Sequence, residues 1–338
     1  MRKYVLLVLC ALLALPLFGQ TKLNGAGATF PYPVYSKWFS EYHTVHSDVE
    51  VNYQSIGSGG GIRQVTEGTV DFGASDMPMT DAQLQEAEGK LKTKVLNIPT
   101  VLGADVPAYN IPGVSGEVKF TPDILAGIFL GTITNWNDKA ITSANPDIKF
   151  PNQDIVVVHR SDGSGTTFIW TDYLSKISPE WKGQVGSGTS VKWPKGLGGK
   201  GNEGVAGSIR QLPGSIGYVE LIYAVQNKIP YGSVRNSSGI FMKASLESVT
   251  AAAASAPKMP ADFRVSITNA PGKDAYPISS FTWLLIPQKA KDSAKGKILN
   301  DFLNWMVTDG QKMTSALAYA PLPDNVAAKV KVAIKQVN

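Results

Sequence analysis

The sequence predicts an α/β protein built as two lobes, each a β-sheet flanked by helices, and three observations carry that expectation. Its 338 residues, 43% hydrophobic and 17% charged, are long enough for two ordinary domains and too apolar for a disordered chain. Short β-branched runs alternate with helix-like segments, and the alternation starts afresh once along the chain. Three times, a strand-like run leads through a tight turn of Gly, Ser or Thr into a helix-like segment, the connection expected in a largely parallel sheet.

Residues 1–19 stand apart from this pattern. Arg2 and Lys3 precede an apolar run from Tyr4 to Phe18, followed by Gly19, Gln20 and polar sequence, the layout of a cleavable signal peptide. The run is short of the roughly 20 apolar residues that a spanning helix needs. Export to the periplasm is therefore expected. The single cysteine, Cys10, lies in this segment, so neither a disulfide nor a thiolate metal site is expected in the mature chain.

The first lobe reads as strand over 49–54, helix over 60–67, strand over 69–74 and helix over 80–88. The last helix opens on Thr80 and Gln83 at capping-box spacing. The pattern restarts after Gly103, with helix over 121–129, strand over 154–159 and helix over 166–177. An alanine-rich helix over 243–256 gives way to a stretch punctuated by Pro257, Pro260, Pro271 and Pro277. A buried strand over 280–286 and C-terminal helices follow, the last two separated by Pro321 and Pro323. The expected division is 20–102 with 281–338 as one lobe and 103–280 as the other.

The three turns are the places where chemistry can lie. They are Gly25-Ala26-Gly27-Ala28-Thr29-Phe30-Pro31, Ile56-Gly57-Ser58-Gly59-Gly60-Gly61 and Arg160-Ser161-Asp162-Gly163-Ser164-Gly165-Thr166-Thr167. Pro31 suits a first helical turn, and Ser58 suits an N-cap. A helix start presents unpaired N–H groups and the positive end of the dipole, so each turn can hold an anion without a metal. Any one of them alone reads as an ordinary capped connection; their combination points to one anion surrounded. The Arg160 guanidinium adds a planar fork suited to two oxygens of a tetrahedral oxyanion. Asp162 can hold that fork or serve as a plain turn residue. Asp76, ending Val70-Asp71-Phe72-Gly73-Ala74-Ser75-Asp76, can face the anion, although taken alone it reads as a capping aspartate.

Other motifs fail. In Gly196-Leu197-Gly198-Gly199-Lys200-Gly201 the lysine precedes glycine where a nucleotide-binding P-loop needs Ser or Thr, and Ile62 stands where a dinucleotide fingerprint needs glycine. His43, His46 and His159, the only histidines, do not make a histidine-rich metal site. The net charge of +5 comes from scattered lysines, which does not point to nucleic acid.

The first turn, Asn52-Tyr53-Gln54-Ser55-Ile56-Gly57-Ser58, the run ending in Asp76, Asp162-Gly163-Ser164-Gly165-Thr166, Val191-Lys192-Trp193-Pro194 with Gly196-Leu197-Gly198-Gly199-Lys200-Gly201, and Leu212-Pro213-Gly214-Ser215-Ile216-Gly217-Tyr218-Val219-Glu220 resemble the phosphate-binding component of bacterial phosphate ABC transporters, in order along nearly the whole mature chain. The resemblance implies a type II-like periplasmic binding protein, two lobes joined by hinge strands, with 280–286 as the return to the first lobe. It implies that inorganic phosphate is held by the Thr29 hydroxyl, the Phe30 N–H, Ser58, Asp76, Arg160, Ser164, the Gly165 N–H and Thr166, with Asp162 as the partner that holds Arg160. Gly59 stands where many relatives carry a second serine, and Ser161 stands where some carry alanine. No cofactor is implied; the partners implied are phosphate and the membrane permease subunits of the transporter, with the protein acting as a monomer.

About eight such groups at on the order of 1 kcal/mol each reach the roughly 8 kcal/mol that submicromolar binding needs. Asp76 can only accept a hydrogen bond. Phosphate near neutral pH has a proton to give it and sulfate has none, so Asp76 is expected to exclude sulfate. The alternatives are a secreted phosphatase or serine hydrolase using Ser164 with His159 or Asp162, a carrier of another tetrahedral oxyanion, and a surface adhesion role. Strand alternation sends His159 and Arg160 to opposite faces, which weighs against the hydrolase.

Overall fold

The computed structural model describes residues 20–256 and 258–338; the expected signal peptide and Pro257 lie outside the described residues. One mixed sheet of eight strands runs through the molecule in the order β2-β1-β3-β11-β4-β8-β6-β7. The first three strands, β1 (Thr21–Gly27), β2 (Val49–Ser55) and β3 (Phe72–Ser75), are parallel and alternate with helices α1 (Tyr32–Val45) and α2 (Ser58–Glu67). Helix α3 (Asp81–Leu91) starts at the expected capping box, Thr80 with Gln83.

Strand β4 (Val95–Asn110) joins the two halves of the sheet. Its residues up to Ala104 pair antiparallel with β11 (Ser279–Pro287), and its residues from Asp105 onward pair antiparallel with β8 (Ser215–Glu220). The sequence concealed this strand because it carries Pro99 and Pro107, which cannot donate to a ladder. The chain accommodates Pro99 with a register shift opposite Thr282 and Trp283, a bulge that skips Thr100. Gly103, where the pattern was expected to restart, thus falls inside a continuous strand. The antiparallel pairs of β4 and β11 also make the sheet mixed rather than largely parallel.

Beyond β4 lie the short β5 (Lys119–Phe120), α4 (Pro122–Leu130), capped by Thr121, and α5 (Lys139–Ala144). Strand β6 (Val156–Arg160) runs parallel to β8 and to β7 (Leu197–Gly199). Helices α6 (Gly165–Ile177), α7 (Pro179–Gln184), α8 (Gly201–Gln211) and α9 (Leu221–Gln226) fill the connections. Strands β9 (Ser233–Arg235) and β10 (Phe241–Met242) form a small sheet with β5, and α10 (Leu246–Ser255) is shorter than the alanine-rich run suggested. Strand β11 lies between β3 and β4, and α11 (Ser293–Met306) and α12 (Asp324–Ile334) follow it, α11 packing on α1 and β1.

The core is rich in aromatic residues, several of which have their polar ends satisfied. Trp38, Trp136 and Trp283 are fully buried, and their indole N–H groups donate to the carbonyls of Gly310, Gly214 and Phe263 at 2.7, 2.9 and 2.9 Å.

Candidate functional site

Parallel strands with helix crossovers bring strand C-termini and helix N-termini to one edge of a sheet. All the residues expected at the site meet at such an edge. Thr29 and Phe30 follow β1, Ser58 opens α2, Asp76 follows β3, Arg160 ends β6, Ser164 precedes α6, and Gly165 and Thr166 open it. Every one of them is buried.

Ser58 ties the two halves together. Its hydroxyl oxygen accepts the N–H of Gly165 at 3.0 Å and that of Asp76 at 3.1 Å, and its proton points to Asp76 Oδ2 at 3.4 Å. The Gly59 N–H also donates to the Gly163 carbonyl at 2.8 Å. A Cβ at Gly165 would collide with Ser58 Oγ and the Asp76 carboxylate, so only glycine lets α6 start this close. Gly57, at φ +87°, faces Asp162 with no room for a side chain. Ser58 is not the cap expected from the sequence: Gly57 holds the N-cap position, which frees the Ser58 hydroxyl for these contacts. Likewise Pro31 is the N-cap residue of α1 and lies just before its first turn, where Pro33 takes the expected place.

The two carboxylates of the site differ in their surroundings. Asp76 is 1% exposed and accepts the Thr282 hydroxyl at 2.7 Å on Oδ1. Burial pushes its pKa up to about 7, against the lowering effects of Thr282, Arg160 and Ser58. It caps no helix, since Thr80 performs that service for α3. Arg160 is 3% exposed and forks onto Asp162, with Nε to Oδ1 at 2.8 Å and Nη2 to Oδ2 at 2.5 Å. Its Nη1 donates to Thr166 Oγ1 at 3.1 Å. Burial alone would lower the Arg160 pKa, but Asp162 outweighs it and keeps the guanidinium charged. Burial would likewise raise Asp162, yet the Arg160 fork and the Gly201 N–H hold it below the usual carboxylate range.

Ser164 and His159 have other engagements than a nucleophile and its base. Ser164 Oγ caps α6 by accepting the Thr167 N–H at 3.0 Å. His159 stacks on Trp193 with ring centroids 4.8 Å apart, and its Nδ1 lies 3.0 Å from the Arg160 carbonyl. Among the described residues there is no cluster of three or more His, Cys, Asp or Glu side chains that could hold a metal, and no helix is long and apolar enough to cross a membrane.

Several residues of the site escaped sequence reasoning. Asn202, on α8, touches Thr29 and Thr166; Tyr223 and Tyr319 donate to the Thr29 and Phe30 carbonyls, each at 2.5 Å. Asp105 and Glu220 sit opposite each other across β4 and β8, both fully buried. Burial, with Asp76 and Glu220 adding to it, raises the Asp105 pKa well above the ordinary value; burial foremost does the same to Glu220. Burial thus favours the protonated form of both side chains. An aspartate within the apolar run of β4 was the one signal in the sequence that could have pointed to this pair.

The arrangement presents hydroxyl, amide and guanidinium donors from both halves of the sheet around one carboxylate. Such a set suits a small oxyanion that carries a proton for Asp76 to accept.

Comparison with known proteins agrees with this chemistry. Residues 18–310 match the family model of the PBP superfamily domain. The chain is 47% identical over 314 residues to the phosphate-binding protein PstS of Xylella fastidiosa strain Temecula1, covering 92% of this chain and 84% of that one. It is 45% identical over 332 residues to the phosphate-binding protein PstS of Pasteurella multocida, covering 98% and 94%. The solved structure of a human phosphate binding apolipoprotein shares the fold, with a TM-score of 0.75 at 22% identity over 92% of this chain and 93% of that one. The chain thus belongs to the PBP superfamily and, within it, to the PstS family of phosphate-binding proteins.

Proposed function

We propose that the protein binds inorganic phosphate outside the cytoplasm, between two lobes formed by 20–102 with 281–338 and by 103–280, and delivers it to the membrane permease of a phosphate ABC transporter. The observation that carries this reading is Asp76: a buried carboxylate set among donors drawn from both halves of the sheet. The names of the relatives, phosphate-binding protein PstS, support it.

In this reading the anion is held by the Thr29 hydroxyl, the Phe30 N–H, Arg160, Ser164 and Thr166, and by Ser58 and the Gly165 N–H, whose contacts with each other and with Asp76 the anion replaces, with Asp76 taking the phosphate proton and Asp162 holding Arg160. The contacts from Ser58 to Gly165 and from Asn202 to Thr29 cross between these lobes and support a reading in which a bound anion, contacting both, favours the closed arrangement. The protein acts as an exported monomer, without a metal and without a hydrolytic step. The partners that occupy Ser164 and His159 favour binding over hydrolysis.

Isothermal titration calorimetry of phosphate into mature protein, freed of anion by reversible denaturation, tests the reading. One-to-one binding at submicromolar affinity is expected. The absence of phosphate heat across pH 5 to 9 would overturn it.

A further inference from the structure

Asn202 is the second residue of α8, is fully buried, and uses every polar atom it has. Its Oδ1 accepts the Glu220 N–H at 2.9 Å. A backbone N–H can only donate, so this contact fixes which end of the amide is the carbonyl and turns Nδ2 the other way. The Nδ2 group then donates to Thr29 Oγ1 at 2.8 Å and to Thr166 Oγ1 at 3.1 Å. The Asn202 backbone N–H donates to Thr29 Oγ1 as well, at 3.3 Å.

The consequence lies in the accounting of the two hydroxyls. A threonine hydroxyl has two acceptor positions and one proton. Both acceptor positions of Thr29 are taken by Asn202, through Nδ2 and N. Those of Thr166 are taken by Asn202 Nδ2 and by Arg160 Nη1. Each hydroxyl is left with its proton alone, the only part an anion can use. Ser58 shows the contrast, since its proton is directed at Asp76.

We propose that Asn202 is a positioning residue that commits the Thr29 and Thr166 hydroxyls to donate to the bound anion and couples the two lobes through them. This rests on the phosphate-binding reading above. Without Asn202, each hydroxyl regains a free acceptor position and rotates, so the site has to be ordered at the expense of binding. An aspartate at this position keeps the acceptor for the Glu220 N–H but replaces two donor protons with a second acceptor. Both threonine hydroxyls then turn towards it, and its charge opposes the anion.

The test is phosphate calorimetry on the wild type, Asn202→Ala, Asn202→Asp, the T29V/T166V double variant and the T29V/T166V/N202A triple variant, with thermal unfolding to verify folding. Affinity is expected to fall about tenfold in Asn202→Ala and at least about 100-fold in Asn202→Asp. In the T29V/T166V background, Asn202→Ala is expected to change affinity less than about threefold, because the groups through which Asn202 acts are gone. An equal loss in both backgrounds would overturn the inference, as would Asn202→Asp binding like the wild type; the near-isosteric aspartate covers the case in which the alanine variant does not fold. A wild type that binds phosphate while both single variants match it overturns this inference alone. A wild type that does not bind overturns the functional reading as well.

Discussion

Asp76 and Asp162 lie at the same site, yet their surroundings drive them in opposite directions. Asp162, part-exposed, meets a charged fork and is held below the ordinary range; Asp76, buried among hydroxyls and amides, is pushed up to about 7. The difference pairs the Arg160 cation with a resident carboxylate and, on the proposed reading, leaves the second carboxylate to meet the ligand. Arg160 thereby enters binding pre-oriented and already paired, which limits how much net charge it offers. Asp76 enters as an acceptor poised to share a proton.

Breaking the paired side is expected to have the largest effect. Arg160→Met removes a buried cation and strands Asp162, so phosphate affinity should fall roughly 10²- to 10³-fold by calorimetry. A loss under threefold would show that the guanidinium does not reach the anion. Asp162→Asn keeps the cation but loosens the fork, with an expected loss of about 10- to 100-fold. A variant that binds as tightly as the wild type would show that Thr166 alone is enough to orient Arg160.

The smallest effect concerns pH and sharpens the other side. Because the Asp76 pKa is raised, the carboxyl is protonated below about 7 and ionised above it. Protonated, it can donate to a sulfate oxygen; ionised, it repels one. Sulfate affinity should therefore rise roughly tenfold as pH falls from 8 to 6, following the protonated fraction. Sulfate binding that is flat over this range, or that strengthens towards pH 8, would show that Asp76 does not control it.

What the sequence disclosed and what it hid divide along range of contact. The glycine-rich turns, the Thr80 capping box and the Arg160–Asp162 pair are local features, written within a few residues. The hydroxyl of Thr282 on Asp76 is 206 residues away, and the Asn202 amide is 173 residues from Thr29. No periodicity marks such residues, because their partners exist only after the sheet has formed. Strand β4 was hidden for a different reason: Pro99 and Pro107 read locally as breaks, whereas a bulge and the change of partner from β11 to β8 absorb them. Ser58 reads as a cap because capping preference is a local rule, and three contacts across the site override it.

The central claim is that Asp76 discriminates by accepting a proton that the correct anion supplies. Parallel sulfate titrations of the wild type and Asp76→Asn at pH 8, with phosphate as the control, test it most directly. The account predicts that at pH 8 the wild type binds sulfate far more weakly than phosphate, whereas Asp76→Asn, whose amide can donate where the carboxylate could not, shows clear one-to-one sulfate binding. If Asp76→Asn still binds phosphate but excludes sulfate as fully as the wild type, the selectivity lies elsewhere and the claim is contradicted.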